Sequence, residues 1–491
     1  MVIEIDKQEL DHLRETIQRQ SEIIQQQAEI IREQAERIAQ LEEEVGRLKQ
    51  LLQGKADAKA AKKPTFTENY SLDRNQRNKQ PKKKRKKSTG RKTNQAKRES
   101  VTLHLDVYPD GVATEDCILH RCQQVWRLID GKAVYVGYRI YAPPAARELP
   151  LPPAVRNSRS EFGIEIILVL AFLHYWIGVS LDHACQIMEF FTGLVLSKSQ
   201  ADSLLNQLAQ DWDEQYDTIA ELIALQLIVY IDETGWKVGK KSCYTWVFST
   251  ALHVLFRCGV SRKKEEATAV LGESFAGIGV TDDYAAYKTL FSEHQLCWAH
   301  LIRKAIKLAL QYPGQVQYAE FLDQLCAIYD DAKRLQRDGR LSRGREAKVG
   351  QLEARIQSLC TRWEEPIVKG ETPTDVETFL LLQRELVTNL ECLFVFVQHP
   401  DVEPTNNRSE RNARREAEIR KGARTSKSES GAHRRSVIVT VLASLQTRLA
   451  NFTLSALLGE VSQWLDQGNS LFQRELHRLQ QPNASPAAAS A

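Results

Sequence analysis

Two stretches of the chain end an apolar, strand-forming run on adjacent acids. In LIVYIDETGW (227–236) the run meets Asp232 and Glu233, and in AGIGVTDDYAAY (276–287) it meets Asp282 and Asp283. Carboxylates at the tips of buried strands make sense if they share a cation, because hard oxygen ligands at fixed points are what Mg²⁺ takes, and neither His nor Cys is required. Two such ions about 3.5 to 4 Å apart support phosphodiester cleavage by activating the attacking oxygen and stabilising the leaving one. A third ligand would come from the basic stretch PTNNRSERNARREAEIRKGA (404–423), in which residue chemistry alone does not choose among Glu410, Glu416 and Glu418. Glu410 stands near a helix start among Arg408, Arg411, Arg414 and Arg415, where guanidinium groups and a helix N-terminus can hold phosphates. The competing account of the same residues is a solvated helix laced with i,i+4 pairs such as Glu410 and Arg414.

The elements around these acids follow from hydrophobic pattern. LIVYIDETGW reads as a strand ending at its acids, SCYTWVFST as a second after the turn KVGKK, and HVLFRCGVS as a third. KKEEATAVLGESF is helical, AGIGVTDDYAAY is a fourth strand, and HQLCWAH is a short fifth that leads into the helix LIRKAIKLALQ. Three strands, a helix, a strand, then a further strand and helix predict an α/β RNase H-like core with a mixed five-stranded sheet. Its first part covers residues 227–311 and its second 401–465, where a Pro turn and Asn caps precede the basic helix; an all-helical insertion, 312–400, separates them. Trp236 and Trp246 are candidates to stack on a displaced base, with core packing the favoured role for Trp246.

Upstream, residues 101–153 are β-rich and 154–226 helical, a connecting or DNA-binding region whose LSKSQADSLL places a Ser at a helix cap. CILHRC offers Cys117, His120 and Cys122 without a second pair at ligand spacing, so a structural zinc is not expected there. Residues 1–53 carry Leu10, Ile17, Ile24, Ile31, Ile38, Val45 and Leu52 at heptad spacing, which predicts a leucine-zipper-like coiled coil and self-association. Residues 54–100 hold roughly four Lys or Arg for every acid and almost no large apolar side chains, so a disordered basic linker is expected. Its block Lys82, Lys83, Lys84, Arg85, Lys86 and Lys87 suits a phosphate-binding arm. Residues 466–491 form a tail.

At 491 residues with 42% hydrophobic and 26% charged side chains the chain suits a multidomain globular protein. The longest apolar run, IEIILVLAFLHYWIGV (164–179), is short for a bilayer and contains Glu165 and His174, so a buried core helix is expected and no membrane association. The first residues lack a basic region followed by an apolar one, and nine scattered cysteines argue for reduced thiols; both point to the cytoplasm.

Taken in order, IDETGW, YTWVF, DDYAAY, CWAHLIRKA and PTNNRSERNARREAEIRKGA closely resemble the insertion-sequence-66 family of bacterial DDE transposases. The resemblance covers roughly residues 100–460 and extends to the zipper-like helix. It implies an acidic triad of Asp232, Asp282 and Glu410, Tyr284 and Tyr287 selecting Asp282 over Asp283. It also implies chemistry by a pair of Mg²⁺ ions, with Mn²⁺ able to substitute, and cleavage and strand transfer at the ends of a mobile element. Arg420 and Lys421 keep the family's Arg-Lys pair and, with Arg408, Arg411 and Arg414, are expected to contact DNA. The implied partners are terminal repeats, target DNA, a second copy and companion proteins of the element, in the bacterial cytoplasm at the nucleoid. Ala286 stands where the family usually has Gly, and CILHRC is only a remnant of its Cys-x-x-Cys pairs. The rival readings are a catalytically silent DNA-binding regulator and a metal-dependent nuclease on the same fold.

Overall fold

The computed structural model describes residues 100–480, apart from Lys288, Arg340 and Ala423. The expected coiled coil, the linker with its Lys82–Lys87 block, and the last residues of the tail lie outside the described residues.

Strands β1 (Leu103–Val107), β2 (Ile118–Ile129) and β3 (Lys132–Ala142) form a small sheet in the order β1-β3-β2. β2 and β3 turn about Asp130 and Gly131, whose φ values of 49° and 75° suit the right-handed twist of a two-residue hairpin. Four helices follow: α1 (Ile164–Ala171), α2 (Leu181–Thr192), α3 (Lys198–Asp211) and α4 (Asp213–Ala224). α1 is buried nearly throughout, as its apolar run predicts, and passes into a π-helical turn, Phe172–Trp176. α3 opens with a capping box in which Ser197 Oγ accepts from Gln200 N and Gln200 Oε1 accepts from Ser197 N.

The second sheet holds five strands among the described residues: β4 (Ile228–Val238), β5 (Lys241–Ser249), β6 (Val254–Val260), β7 (Ile278–Thr281) and β8 (Glu293–Leu296). Their order is β6-β5-β4-β7-β8, the first three antiparallel and the last two added in parallel. This mixed sheet with its helices is compatible with an RNase H-like core. One expectation needs correction: β4 does not end at Asp232. Its ladder with β5 runs on to Val238↔Lys241, whereas its ladder with β7 ends at Tyr230↔Val280. Asp232 therefore sits where one neighbouring strand stops, because the hairpin carries β4 beyond the parallel part of the sheet.

Alternation along β4 divides the core. Val229 and Ile231 join the larger cluster with α1 to α4, and Tyr230 joins Ile278 and Val280 on the other face. There the sheet meets α6 (Trp298–Gln311), α7 (Val316–Arg337), α8 (Ser342–Leu359), α9 (Thr374–Thr388) and α10 (Val395–Gln398), after the short α5 (Glu265–Leu271). The chain then returns through α11 (Asn407–Lys421) and α12 (Glu429–Arg448), followed by α13 (Leu454–Gln467) and α14 (Leu471–Gln480).

The edge strand β6 is closed by a helix. Ser436, Thr440 and Ser444 of α12 accept from the backbone N–H groups of Cys258, Phe256 and Val254 at 2.9, 2.9 and 3.1 Å. Four helical residues rise about 6 Å and two strand residues about 6.6 Å, so a hydroxyl every fourth residue keeps step with every second amide. Edge amides that would otherwise template pairing are thereby satisfied.

Trp236 and Trp246 are both buried, their indole N–H groups donating to Ser426 Oγ and Ser261 O. Neither is presented for base stacking. All nine cysteines are free thiols. Among the described residues, no helix is long and apolar enough to cross a membrane.

Candidate active site

Asp232 lies two residues beyond Tyr230 and Asp282 two beyond its partner Val280, so the register carries both acids to matching positions on neighbouring chains. Each carboxylate is steadied by a local amide: Asp232 Oδ1 accepts from Glu233 N at 3.0 Å, and Asp282 Oδ1 from Tyr284 N at 3.1 Å.

Glu410 arrives from a distant part of the chain, in the first turn of α11, and its backbone N–H donates to Asn406 O. Asn406 is buried and joins the pieces. Its side-chain amide donates to Ile231 O at 2.6 Å, and its backbone N–H donates to Cys297 Sγ at 3.1 Å. Cys297 N in turn donates to Thr281 O at 2.8 Å. The residues immediately before Asp232 and Asp282 and the residue that caps the helix of Glu410 are thus tied into one knot.

A cleft of about 240 Å³ opens here, lined by Asp232, Glu233, Thr234, His300, Glu410, Ala413, Arg414 and Ala417. The two alanines keep the near side of α11 low. Burial, together with the charges of Glu233, Asp282 and Glu410, pushes the Asp232 carboxyl up to about 8. An acid raised by burial and three neighbouring acids gains strongly from a cation's charge, so the donor set fits a hard divalent ion.

The other acids have different occupations. Alternation turns Glu233 to the opposite face of the sheet from Asp232, where Tyr287 Oη donates to it and Arg262 pairs with it at 2.6 Å. Arg262 lies 3.9 Å over the ring of Tyr284, so the two tyrosines of DDYAAY brace Glu233 directly and through Arg262. Burial raises the Glu233 carboxyl and the Tyr287 phenol alike. Glu416 is fully buried in a two-pronged pair with Arg435 at 2.7 and 2.8 Å, while Glu418 is exposed.

The basic residues divide too. Arg408 is committed to Glu403 at 2.6 Å and to Thr250 O, and Arg420 donates to Gly235 O at 2.8 Å. A Cβ at Gly235 would come within 2.5 Å of the Arg420 guanidinium and push that flexible side chain aside. Arg411, Arg414 and Lys421 are exposed. Among the described residues, Cys117, His120 and Cys122 are not gathered to ligand distance, and His120 instead bonds Pro143 O. Residue chemistry alone had not singled out His300 and Arg303, which meet Glu410 at 3.5 and 3.2 Å. The available signal was CWAH opening α6: Cys297 and His300, three apart, share its first turn.

The family model for the Transposase IS66 family matches residues 159–434, more than half of the chain. The chain belongs to this family. Membership makes it a transposase, an enzyme of the nucleotidyl-transferase type that acts on DNA, in a class that typically uses divalent metals. The matched span runs from just before α1 into α12 and contains all the strands and helices that position the cleft of this IS66-family transposase. Comparison with curated proteins returns no match.

Proposed function

We propose that this transposase binds the ends of an insertion sequence and performs metal-dependent cleavage and strand transfer through Asp232, Asp282 and Glu410. The observation that carries the reading is that Asp232 and Glu410, from β4 and α11, line one cleft, and that burial together with the charges of Glu233, Asp282 and Glu410 raises the Asp232 carboxyl. Asp232, Asp282 and Glu410 would hold Mg²⁺, or Mn²⁺ in its place, which when bound supplies Lewis acidity to the phosphate and acidity to the attacking water.

The remaining work falls to this chain's own side chains. Arg411, Arg414 and Lys421 line the exposed side of α11 and would neutralise phosphates, Arg414 from the cleft itself. Arg408 and Arg420 serve DNA by fixing the two ends of α11 against the sheet. Glu410 would accept the proton of the attacking water, and the acids act as ligands and bases, not as nucleophiles. In this reading residues 227–311 and 401–465 form the catalytic core, 312–400 its helical insertion, 154–226 a DNA-binding or connecting region, and 1–53 the zipper that pairs protomers. The Lys82–Lys87 arm adds affinity without sequence choice.

The test uses short duplexes carrying the element's ends, a target plasmid and Mg²⁺. Covalently joined end–target products are expected. Cutting without joining would favour the nuclease reading, and binding without cutting the silent regulator.

A further inference from the structure

The group Cys297, His300 and Glu410 holds a feature that cleavage through three carboxylates does not use. Sulfur, ring nitrogen and carboxylate oxygen all lie within 4.8 Å of one another. His300 Nδ1 is buried and makes no hydrogen bond among the described residues; it stands 3.5 Å from Glu410 Oε1, too far for one. Cys297 Sγ lies 3.6 Å from the same oxygen.

These separations have a chemical meaning. A tetrahedral Zn²⁺ takes sulfur at about 2.3 Å and nitrogen or oxygen at about 2.0 to 2.2 Å, which puts its ligand atoms roughly 3.4 to 3.6 Å apart. The sulfur–oxygen and nitrogen–oxygen distances match that frame. Thiolate and imidazole are poor ligands for Mg²⁺ and good ones for Zn²⁺ or Co²⁺. The fourth position faces the cleft, since His300 and Glu410 both line it. We infer that Cys297, His300 and Glu410 form a site for a thiophilic divalent cation of the Zn²⁺ class, separate in ligand chemistry from the carboxylate site and sharing Glu410 with it.

Binding displaces one proton, from the Cys297 thiol, which leaves to solvent as the sulfur–metal bond forms. Burial pushes the Cys297 thiol up to about 11 against the Asn406 N–H at 3.1 Å, so the thiolate forms only with the charge of the bound cation. Arg303, which reaches Glu410 at 3.2 Å, must swing away; its side chain is half-exposed and free to do so. An ion held here withdraws Glu410 from the acids that serve cleavage, so Zn²⁺ inhibits the reaction. That consequence, unlike the site itself, rests on the assignment of Glu410 proposed above.

The test titrates the full chain with Co²⁺ under a non-thiol reductant. A sulfur-to-cobalt charge-transfer band at one equivalent is expected, absent in Cys297→Ser. His300→Ala, at a partly exposed position, keeps the fold and loses at least about 100-fold in Co²⁺ affinity, more than the roughly 10- to 100-fold that a merely supporting partner costs. No thiolate band, or one unchanged in both variants, overturns the site. A band that obeys these variants while Zn²⁺ leaves cleavage unslowed keeps the site and overturns the Glu410 assignment.

Discussion

Asp232 and Glu233 are neighbours on β4, and alternation sends their carboxylates to opposite faces, where they meet different partners. Glu233 finds Arg262 and Tyr287, whereas Asp232 finds burial and other acids. The difference has a pH signature. An unfolded Asp titrates near about 3.9, and burial plus three acids raises folded Asp232 to about 8. Between those values the folded state binds more protons than the unfolded one, so this group's contribution to stability falls as pH rises and levels off above about 8. Urea unfolding in EDTA should show Asp232→Asn gaining on the wild type from about pH 5 to about pH 9; a gap independent of pH would contradict the shift. Asp232 and Glu233 were readable in the sequence because they end an apolar run. The division of labour was not, since it depends on Arg262 and on Arg435, the partner of Glu416, both supplied by other elements.

At the scale of elements, strands and helices were largely legible from periodicity, and Ser197 as a cap from residue type. The course of β4 past Asp232 was not legible, because the sequence Thr-Gly-Trp-Lys of residues 234 to 237 continues a ladder only when β5 lies beside it. Nor was the closing of β6 by α12. Ser436, Thr440 and Ser444 look like indifferent helix residues until a strand edge is placed against them, and then each satisfies a buried amide. Thr440→Val keeps the shape and orphans the Phe256 N–H, which should cost about 1 to 3 kcal/mol in urea unfolding. An unchanged midpoint would mean that the hydroxyl does not carry that hydrogen bond.

At the scale of the molecule, the candidate site is built by a chain that leaves the sheet after β8, folds α6 to α10 into a core against one face, and returns at Asn406 to tie its acid to the other two. Sequence order alone could not show that Cys297 and Asn406, 109 residues apart, would meet. DNA on this surface would cross the exposed Arg411, Arg414 and Lys421. Each phosphate contact contributes about 0.9 to the slope of log affinity against log salt, so replacing all three with Ala should flatten that slope by roughly 3. A parallel loss at every salt concentration would remove them from the interface.

The central claim is that Asp232, Asp282 and Glu410 are the acids of DNA cleavage. Its most direct test is single-turnover cleavage, with Mg²⁺, of a supercoiled plasmid carrying the element's ends. The account predicts that Asp232→Asn, Asp282→Asn and Glu410→Gln each lose at least about 1,000-fold, about 4 kcal/mol of barrier, while still binding DNA. Asp283→Asn and Glu418→Gln should stay within about fivefold of wild type, less than 1 kcal/mol. Wild-type cleavage by any one of the first three would contradict it.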